Sequence, residues 1–569
     1  MAHEFFPNIF TPLRLGPITL KNRIFISSHN NGMALNDMID DRMIAYYRRR
    51  AQAGVALIVT GATAVHRTSY SGNGRAILNQ DDSIIPWLKK TADALHEYDC
   101  KFFMQLIHHG RQGDPHRFEL PLWGASDRLI DEHGAETVHV LEQEEIQEVV
   151  RAFADAAARC RAGGVDGVEI AGANTNLIVE FLSPRTNNRT DEYGGNEENR
   201  LRFPREVLGA VRKAVGDDFV LGMKVQGDEL VEGGLTTEDS LRIIPKLVEY
   251  GKLDYVLPMD GSQTSYYGHA LMVPPYLVPP SFNVPLAAAV KQVVNVPVFA
   301  LGRIAEPSTV EQILDNHEAD MVGMTRAHIA DPDIVKKAFE GRADEIRTCV
   351  GYNDGCIGRR HHGHFISCVQ NPETGREIDW APLEDTKTRQ KKRLMVVGGG
   401  PAGMEAARVA AIRGHDVALY ERSDSLGGQL KIQARAPRRD EVEVMITNWQ
   451  RAVDRAGVKV KLNTEVTPQL IEAENPDVVI VATGADARRL TPAEIPGIDA
   501  PNVVTGWDVL TGKVETGQRV VVLDADRGQQ GLNVADYLAV RGKDVELVTQ
   551  DWQAGLNVEK FTRWMLLQR

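Results

Sequence analysis

The chain has little cysteine, no long hydrophobic run and no excess of positive charge. Five cysteines in 569 residues are too few for a disulfide framework. No stretch reaches the roughly 18 apolar residues of a spanning helix, and the N-terminus lacks the charged and apolar regions of a signal peptide. The formal net charge of −13 is spread along the chain, without a basic patch. These absences predict a cytoplasmic protein that binds neither nucleic acid nor membrane.

The first 345 residues alternate short apolar runs with amphipathic stretches. The chain is too long for one hydrophobic core, so several domains are expected. Helical patterns such as 146–162 and 237–250 lie between most of the apolar runs. The eight candidate strands are 23–27, 55–60, 102–107, 165–170, 220–225, 255–258, 296–301 and 320–323. This order predicts an α/β fold that begins with a TIM (β/α)8 barrel over residues 1–375, whose chemistry lies at the carboxyl ends of the strands.

A polar, charged segment at 376–392 is typical of a linker, and a strand–turn–helix pattern follows it. The turn reads Gly-Gly-Gly-Pro-Ala-Gly, and an acid lies about twenty residues further on, at the end of the next strand. Glycines permit close approach of a pyrophosphate to the helix N-terminus, and the carboxylate of the acid accepts hydrogen bonds from ribose hydroxyls. The pattern predicts a Rossmann-like FAD- or ADP-binding domain over 393–490. Its candidate binding residues are Gly398, Gly400, Gly403 and Glu421.

A second strand–turn–helix pattern begins at Arg519, but its turn reads Asp-Ala-Asp-Arg-Gly-Gln-Gln-Gly rather than G-x-G-x-x-G. Asp524 and Asp526 would repel a pyrophosphate lying on that turn, so NAD(P)H binding is left open. A purely structural unit is equally compatible with the pattern. Because the chain ends at Arg569, we expect 491–569 to form an incomplete second nucleotide-binding unit.

Two longer motifs carry a family resemblance. Residues 105–111 read QLIHHGR, and residues 181–195 read FLSPRTNNRTDEYGG. With these motifs the chain resembles the old yellow enzyme family, in the multidomain branch that contains 2,4-dienoyl-CoA reductase and trimethylamine dehydrogenase. The resemblance runs from about Phe6 to the C-terminus. It implies FMN in the barrel, a [4Fe–4S] cluster, an FAD- or ADP-binding domain and a second nucleotide domain.

The resemblance also implies an FMN site at the mouth of the barrel. Gln105 matches the family's side chain on the flavin pyrimidine edge. Lys224 stands where the family usually has arginine near flavin N1 and O2, and either cation can stabilise the reduced flavin. Ser27 ends the first strand beside them. The phosphate-binding turns after the seventh and eighth strands correspond to Gly302, Arg303, Thr325 and Arg326.

Three of the five cysteines, Cys349, Cys356 and Cys368, fall within twenty residues. The reductase branch has the spacing C-x2-C-x3-C-x11-C, and here Tyr352 stands at the second position. Iron–sulfur clusters are normally held by four thiolates. The resemblance therefore implies either a [4Fe–4S] cluster on three cysteines, with a fourth ligand from Tyr352, Asp354, a nearby histidine or solvent, or a loop that holds no iron.

The substrate side departs most from the family. Asn174 keeps an amide that could hold a substrate, but Ala171 lacks the partner histidine or tyrosine of the family. Asn176 replaces the tyrosine that protonates a reduced alkene, and an amide cannot serve as that acid. Gln263 stands about where dienoyl-CoA reductases carry a catalytic histidine.

An aromatic cage for a methylated ammonium is not evident, since Ala62 falls near one cage position. Tyr266, Tyr267 and His269, on the loop after the sixth strand, could rebuild part of it. Asn30 stands about where trimethylamine dehydrogenase attaches its flavin through cysteine, which predicts noncovalent FMN.

These features predict an FMN-dependent oxidoreductase that exchanges a hydride with a small organic substrate, with Asn174, Lys224, Tyr266, Tyr267 and His269 as candidate catalytic residues. Electrons would pass through the cysteine loop and the FAD region. Oxidation of a small N-methyl amine is favoured, with a protein electron acceptor as a partner. The alternatives are an NAD(P)H-dependent enoyl or enone reductase and a non-catalytic electron-transfer flavoprotein. A homo-oligomer is compatible with all three.

Overall fold

Eight short parallel strands form the first part of the molecule. In the computed structural model, the described residues are 3–69, 75–114, 116, 118–127, 138–380, 382–488 and 490–569. The chain divides into a first unit of residues 1–343 and 351–378 and a second of residues 344–350 and 379–569. The strands of the first unit are β1 (Ile24–Ile26), β2 (Leu57–Val59), β3 (Lys101–Ile107), β4 (Gly167–Gly172), β5 (Val220–Gln226), β6 (Tyr255–Met259), β7 (Phe299–Ala300) and β8 (Met321–Gly323).

These strands close into a barrel. Their order is β6-β5-β4-β3-β2-β1-β8-β7, all in parallel register. A bridge between Val256 and Val298 joins the two ends, with the Val256 N–H donating to the Pro297 carbonyl at 3.1 Å. The eight predicted strands and the TIM barrel are therefore confirmed. Almost every strand residue is buried, as expected for a parallel sheet covered on both faces.

A helix covers the outside of the barrel after each strand. These helices are α1 (Asp41–Gln52), α2 (Ile85–His96), α3 (Gln143–Ala162), α4 (Arg202–Val215), α5 (Thr237–Gly251), α6 (Val284–Lys291), α7 (Pro307–Asp315) and α8 (Ile334–Phe339). Helix α4 shows why they form, because Phe203, Val207 and Val211 recur on one buried stripe while the opposite face is charged. Shorter helices lie in the loops at Leu177–Leu182, Glu197–Arg200, Tyr266–Ala270, Thr325–Ala330 and Arg359–His361.

Three short strand pairs lie outside the eight barrel strands of the first unit. Leu13–Leu15 and Ile18–Leu20 form an antiparallel hairpin, while Thr63–Ala64 pairs with Ile77–Leu78 and Leu122–Gly124 pairs with Val138–Val140. The hairpin packs its leucines against an apolar layer inside the barrel that includes Phe25, Phe103 and Phe299. The ring of Tyr255 stacks on that of Phe299 with centroids 4.3 Å apart. This layer fills one end of the barrel and leaves the polar residues for the other end.

A buried ion pair anchors the loop that follows β3. The Glu180 carboxylate accepts hydrogen bonds from the backbone N–H groups of Arg111 (2.7 Å) and Ala125 (3.1 Å). The Arg111 Nε lies 3.6 Å from it, and both side chains are at most 1% exposed. Burial raises the pKa of Glu180, and the Arg111 charge opposes that shift. Gly110 is required here, because a Cβ would overlap the Glu180 carboxylate.

The second unit contains a four-stranded parallel sheet. Its strands are β9 (Arg393–Val397), β10 (Asp416–Tyr420), β11 (Lys459–Lys461) and β12 (Val478–Val481), in the order β11-β10-β9-β12. Helices at Pro401–Ile412, Leu430–Gln433, Glu441–Arg455 and Pro468–Glu474 connect them. The strand order 3-2-1-4 is that of a dinucleotide-binding fold, which confirms the predicted Rossmann-like architecture.

The last part of the chain forms a smaller βαβ unit. Strand β13 (Arg519–Asp524) pairs in parallel with β14 (Asp544–Thr549), and the helix Gln529–Ala539 connects them. Helices Gly506–Leu510 and Lys560–Leu567 flank the pair. Within the part of the chain that the structure describes, no helix has the length and apolar character needed to cross a bilayer.

We expect Glu180→Gln to destabilise the barrel. The substitution removes the carboxylate that balances Arg111 and turns an amide NH2 group toward one of the two backbone N–H donors, a change that costs about 3–5 kcal/mol for a buried pair. The melting temperature of the holoprotein measures this. The matched control is Glu97→Gln, which breaks the exposed Arg48–Glu97 pair and should change the melting temperature little. Equal melting temperatures for the two variants would contradict the assignment.

Candidate active site

A chain of hydrogen-bonded polar side chains crosses the polar end of the barrel. The Ser28 hydroxyl donates to Gln105 Oε1 at 2.6 Å, and Gln105 Nε2 donates to Glu169 Oε1 at 2.7 Å. Glu169 Oε2 accepts from the Tyr255 hydroxyl at 3.0 Å. Neighbouring register positions place Gln105 and Glu169 side by side on β3 and β4. The amide of Gln105 is therefore held in one orientation, with its oxygen toward Ser28.

Lys224 lies on β5, two residues after Gly222, which pairs with Glu169 of β4. Its side chain is buried, and burial lowers its pKa while the Glu169 charge raises it. No hydrogen bond to its ammonium group comes from the described residues. A buried cation in the barrel mouth, two strands away from an oriented amide, fits the pyrimidine edge of FMN, which needs a cation and a hydrogen-bonding amide.

The predicted phosphate-binding residues follow β7, β8 and β1. Gly302 has φ +127°, and a Cβ there would lie 3.1 Å from the Asn283 backbone nitrogen. The Thr325 hydroxyl accepts from the Ser27 N–H at 2.9 Å, which joins the ends of β8 and β1. Arg303 donates to the Tyr276 carbonyl at 3.0 Å, and Arg326 donates to Asn353 Oδ1 at 2.9 Å. The structure thus brings the predicted phosphate turns to one end of the barrel.

The loop after β4 is strained. Asn174 and Thr175 have φ of +63° and +57°, values that non-glycine residues rarely adopt. The Asn174 N–H donates to Gln226 Oε1 at 2.8 Å, and Thr175 shares a hydrogen bond with the Ser262 hydroxyl at 2.7 Å. Asn174 Oδ1 is buried and has no hydrogen-bond partner among the described residues. An unpartnered acceptor at a strand end is suited to receive a hydrogen bond from a ligand.

An open pocket lies beside this site, between the ends of β1 and β2. Its walls come from residues 29–31 after β1, Tyr47 of α1, Gly61 and Ala62 after β2, and residues 75–77. The His29 ring hydrogen-bonds to the Tyr46 hydroxyl at 3.0 Å, and burial lowers the pKa of His29 to about 4. His29 is therefore neutral at physiological pH.

Tyr266, Tyr267 and His269 lie on the short helix after β6, not on an open loop. Tyr267 is 49% exposed, and Tyr266 and His269 are half-buried. None of the three lines the pocket between β1 and β2. A catalytic role for them stays a prediction.

Two of the three clustered cysteines belong to the first unit, and Cys349 belongs to the second. The Gln370 N–H donates to Cys368 Sγ at 3.4 Å, and the Ser367 N–H donates to the Gly355 carbonyl at 2.8 Å, which ties the two segments of the loop together. The described ranges contain no group of three or more histidine, cysteine or acidic residues arranged to hold a metal ion. The cluster accordingly stays a prediction.

The first nucleotide turn has the form its sequence predicts. A Cβ on Gly403 would overlap the Gly398 carbonyl oxygen, so only glycine allows this helix to pack so closely, whereas Gly400 faces open space at the helix N-terminus. Glu421 accepts from the Gly399 N–H at 2.6 Å and from Ser423. Burial opposes ionisation of Glu421, but these hydrogen bonds outweigh it and lower its pKa. The open turn and the ionised acid fit an adenine dinucleotide.

Several residues at the site were not singled out from the sequence. Glu169 could have been found, since a charge inside the apolar run 167–170 requires a buried partner. His29, Gln226 and Arg75 carry no comparable pattern, because their importance arises only when distant loops meet.

The fold and this geometry agree with comparisons to known proteins. Residues 8–345 match the NADH:flavin oxidoreductase / NADH oxidase family, and residues 392–558 match the pyridine nucleotide-disulphide oxidoreductase family. The chain belongs to the NADH:flavin oxidoreductase / NADH oxidase family. It is an FMN-dependent oxidoreductase with a second nucleotide-binding domain, as its resemblance to the old yellow enzyme family implies.

Individual relatives differ in their chemistry. The chain is 38% identical to N,N-dimethylglycine/sarcosine dehydrogenase of Chromohalobacter salexigens, over 97% of this chain and 80% of that protein. It is 37% identical to an NADH oxidase of Thermoanaerobacter brockii, over 100% and 86%. The solved structure of a 2-naphthoyl-CoA reductase complex superposes with a TM-score of 0.91 at 32% identity, covering 99% of this chain and 86% of that one.

We expect Lys224→Met to weaken FMN binding about 10- to 100-fold, because a hydrogen bond to a charged group contributes about 1.5–3 kcal/mol. The two-electron reduction potential should also become more negative, since the reduced flavin loses its cation. Fluorescence titration of the apoprotein and redox titration measure the two effects. Lys213→Met, on the exposed face of α4, is the control. Unchanged affinity and potential in Lys224→Met would show that this lysine does not contact the flavin.

Tyr352→Cys tests the cysteine loop. The substitution restores the spacing C-x2-C-x3-C-x11-C, so we expect iron and acid-labile sulfide to rise to full [4Fe–4S] occupancy after anaerobic purification. Tyr352→Phe removes only the hydroxyl and serves as the control. Iron-free protein from both variants would contradict a cluster site in this loop.

Proposed function

We propose that this chain oxidises a small N-methylated amine in the barrel and passes the electrons to an acceptor protein. The observation that carries the proposal is the turn after β13, where carboxylates stand in place of a glycine loop. This turn helps to decide the direction of electron flow, because a reductase needs a site that binds the pyridine nucleotide from which its electrons come.

Two carboxylates of that turn hold backbone N–H groups, one within the turn and one in the segment after β14. Asp526 Oδ1 accepts from the Gly528 N–H and Asp524 Oδ2 accepts from the Gly555 N–H, both at 2.8 Å. Burial raises the pKa of Asp524, but hydrogen bonds from backbone N–H groups oppose that shift. The Asp526 carboxylate on the Gly528 N–H, at the start of the helix Gln529–Ala539, competes with a pyrophosphate for that donor, and its negative charge repels one. This supports electron entry from the substrate.

The loop after β4 supports the same direction. The Asn176 side chain caps the helix Leu177–Leu182, donating to the Ala173 carbonyl at 2.9 Å and accepting from the Val179 N–H. Its amide is thus occupied within the loop and carries no proton acidic enough to complete reduction of an alkene. Oxidation of an amine needs no acid at this position.

In the proposed reaction, a C–H bond of the N-methyl group would break, and FMN held by Gln105 and Lys224 would supply the acceptor for its hydride and two electrons. Water then adds to the iminium carbon, which releases formaldehyde and the demethylated amine. The acceptor protein would then take up the two electrons. Asn174 offers its unpartnered Oδ1 to the substrate or the flavin, and Lys224 stabilises negative charge at the pyrimidine edge. The dehydrogenase from Chromohalobacter supports this assignment.

The second candidate is an NAD(P)H-dependent reductase of an enoyl substrate. The likeness to an NADH oxidase and to 2-naphthoyl-CoA reductase favours it.

Anaerobic titration of the oxidised holoprotein distinguishes the two. We expect sarcosine or N,N-dimethylglycine to bleach the flavin band with release of formaldehyde, and NADH and NADPH to leave it unchanged. Dithionite, which reduces any accessible flavin, is the control for cofactor content. Stoichiometric bleaching by either nucleotide, with no response to the N-methyl compounds, would replace amine oxidation with reductase activity.

A further inference from the structure

The pocket between β1 and β2 has an unusual charge balance. Arg75 is the one permanently charged residue among its lining residues, and no carboxylate lines it. His29, which also lines the pocket, is neutral because burial lowers its pKa to about 4. The other polar groups of the wall are amides, Asn30 and Asn31. The pocket therefore presents positive charge and uncharged hydrogen-bonding groups.

The Arg75 guanidinium is largely uncommitted. One of its N–H groups donates to the Gly32 carbonyl at 3.2 Å, and no acidic side chain of the described residues pairs with it. An arginine fork matches a carboxylate with two parallel hydrogen bonds. A half-buried fork that faces a pocket and lacks an internal carboxylate is suited to bind one from a ligand.

The rest of the lining does not suit a bare ammonium ion. Tyr47 is the one tyrosine, phenylalanine or tryptophan among the lining residues, and burial raises the pKa of its hydroxyl, which keeps it neutral. Cation–π binding of a methylated ammonium needs several ring faces. Arg75 in the wall and Lys224 in the barrel mouth would both repel an ammonium group.

The same charges suit an amine that carries its own carboxylate. The carboxylate would neutralise Arg75, and the Lys224 charge, which also lowers the pKa of His29, would lower the pKa of the substrate amine. A lower amine pKa favours the neutral form, whose lone pair is needed for loss of hydride from the N-methyl carbon. The apolar side chains of Met43, Ala62 and Ile77 would then surround the methyl groups.

We propose that Arg75 binds the carboxylate of the substrate, which is an N-methylated amino acid rather than a simple amine. This inference rests on the proposed amine oxidation, but the binding it describes can be measured without turnover.

Isovalerate is the test ligand, because it is the carbon isostere of N,N-dimethylglycine and has no amine to oxidise. Isovaleramide has the same shape without the charge. Their dissociation constants for the oxidised holoprotein follow from perturbation of the flavin absorption and from calorimetry. We expect isovalerate to bind, and Arg75→Gln to weaken it about 10- to 100-fold while leaving isovaleramide unchanged. Arg75→Lys should recover part of the affinity. Arg67→Gln, an exposed arginine of the same loop that does not line the pocket, should behave like the wild type.

The outcomes separate this inference from the proposed reaction. Selective, Arg75-dependent binding of isovalerate supports the carboxylate-binding role of Arg75 even if no N-methyl compound reduces the flavin. Equal affinity for acid and amide, no binding of the acid, or no effect of Arg75→Gln in a variant that keeps its FMN would overturn it. In that case, turnover of N,N-dimethylglycine and its amide at equal kcat/KM would leave the amine oxidation standing.

Discussion

The Glu169 carboxylate, buried inside the barrel, is the constraint around which the active end is arranged. A buried charge is tolerated only with partners on every side. Gln105 and Tyr255 supply hydrogen bonds at 2.7 and 3.0 Å, and Lys224 supplies the opposite charge. Tyr255 belongs at the same time to the apolar layer that fills the other end of the barrel. The Tyr255 side chain thus links the packing of the core to the orientation of the groups that are predicted to face the flavin.

Much of the fold could be predicted from the sequence, because its strands are short and buried on both faces. Runs such as 220–225, which alternate with amphipathic helices along the chain, are typical of buried parallel strands. The turn from Gly398 to Gly403 has a steric requirement that only glycine meets. Boundaries shifted by a few residues, as in β7, where only Phe299–Ala300 keeps a regular ladder.

Residues of the candidate site could be predicted from the sequence only where they lie on a strand or in a turn that matches a family motif. Gln105, Lys224 and Thr325 are of this kind. The pocket depends instead on loops after β1 and β2 that meet through tertiary packing, so Arg75 and His29 carry no signal in the sequence. The short helix Tyr266–Ala270 could not be predicted either, because its Ser265 N-cap is a local feature that a loop of the same composition would share.

The turn after β13 has a consequence for how this sequence can change. Asp524 holds the Gly555 N–H, and a Cβ on Gly531 would lie only 2.9 Å from its Oδ1. A mutation of Asp524 to glycine, the first step toward a dinucleotide turn, would leave that amide without its acceptor and open a gap beside the helix. Nucleotide binding would still require a second change at Asp526. A mutant on this path would therefore lose stability before it gained any affinity for a nucleotide.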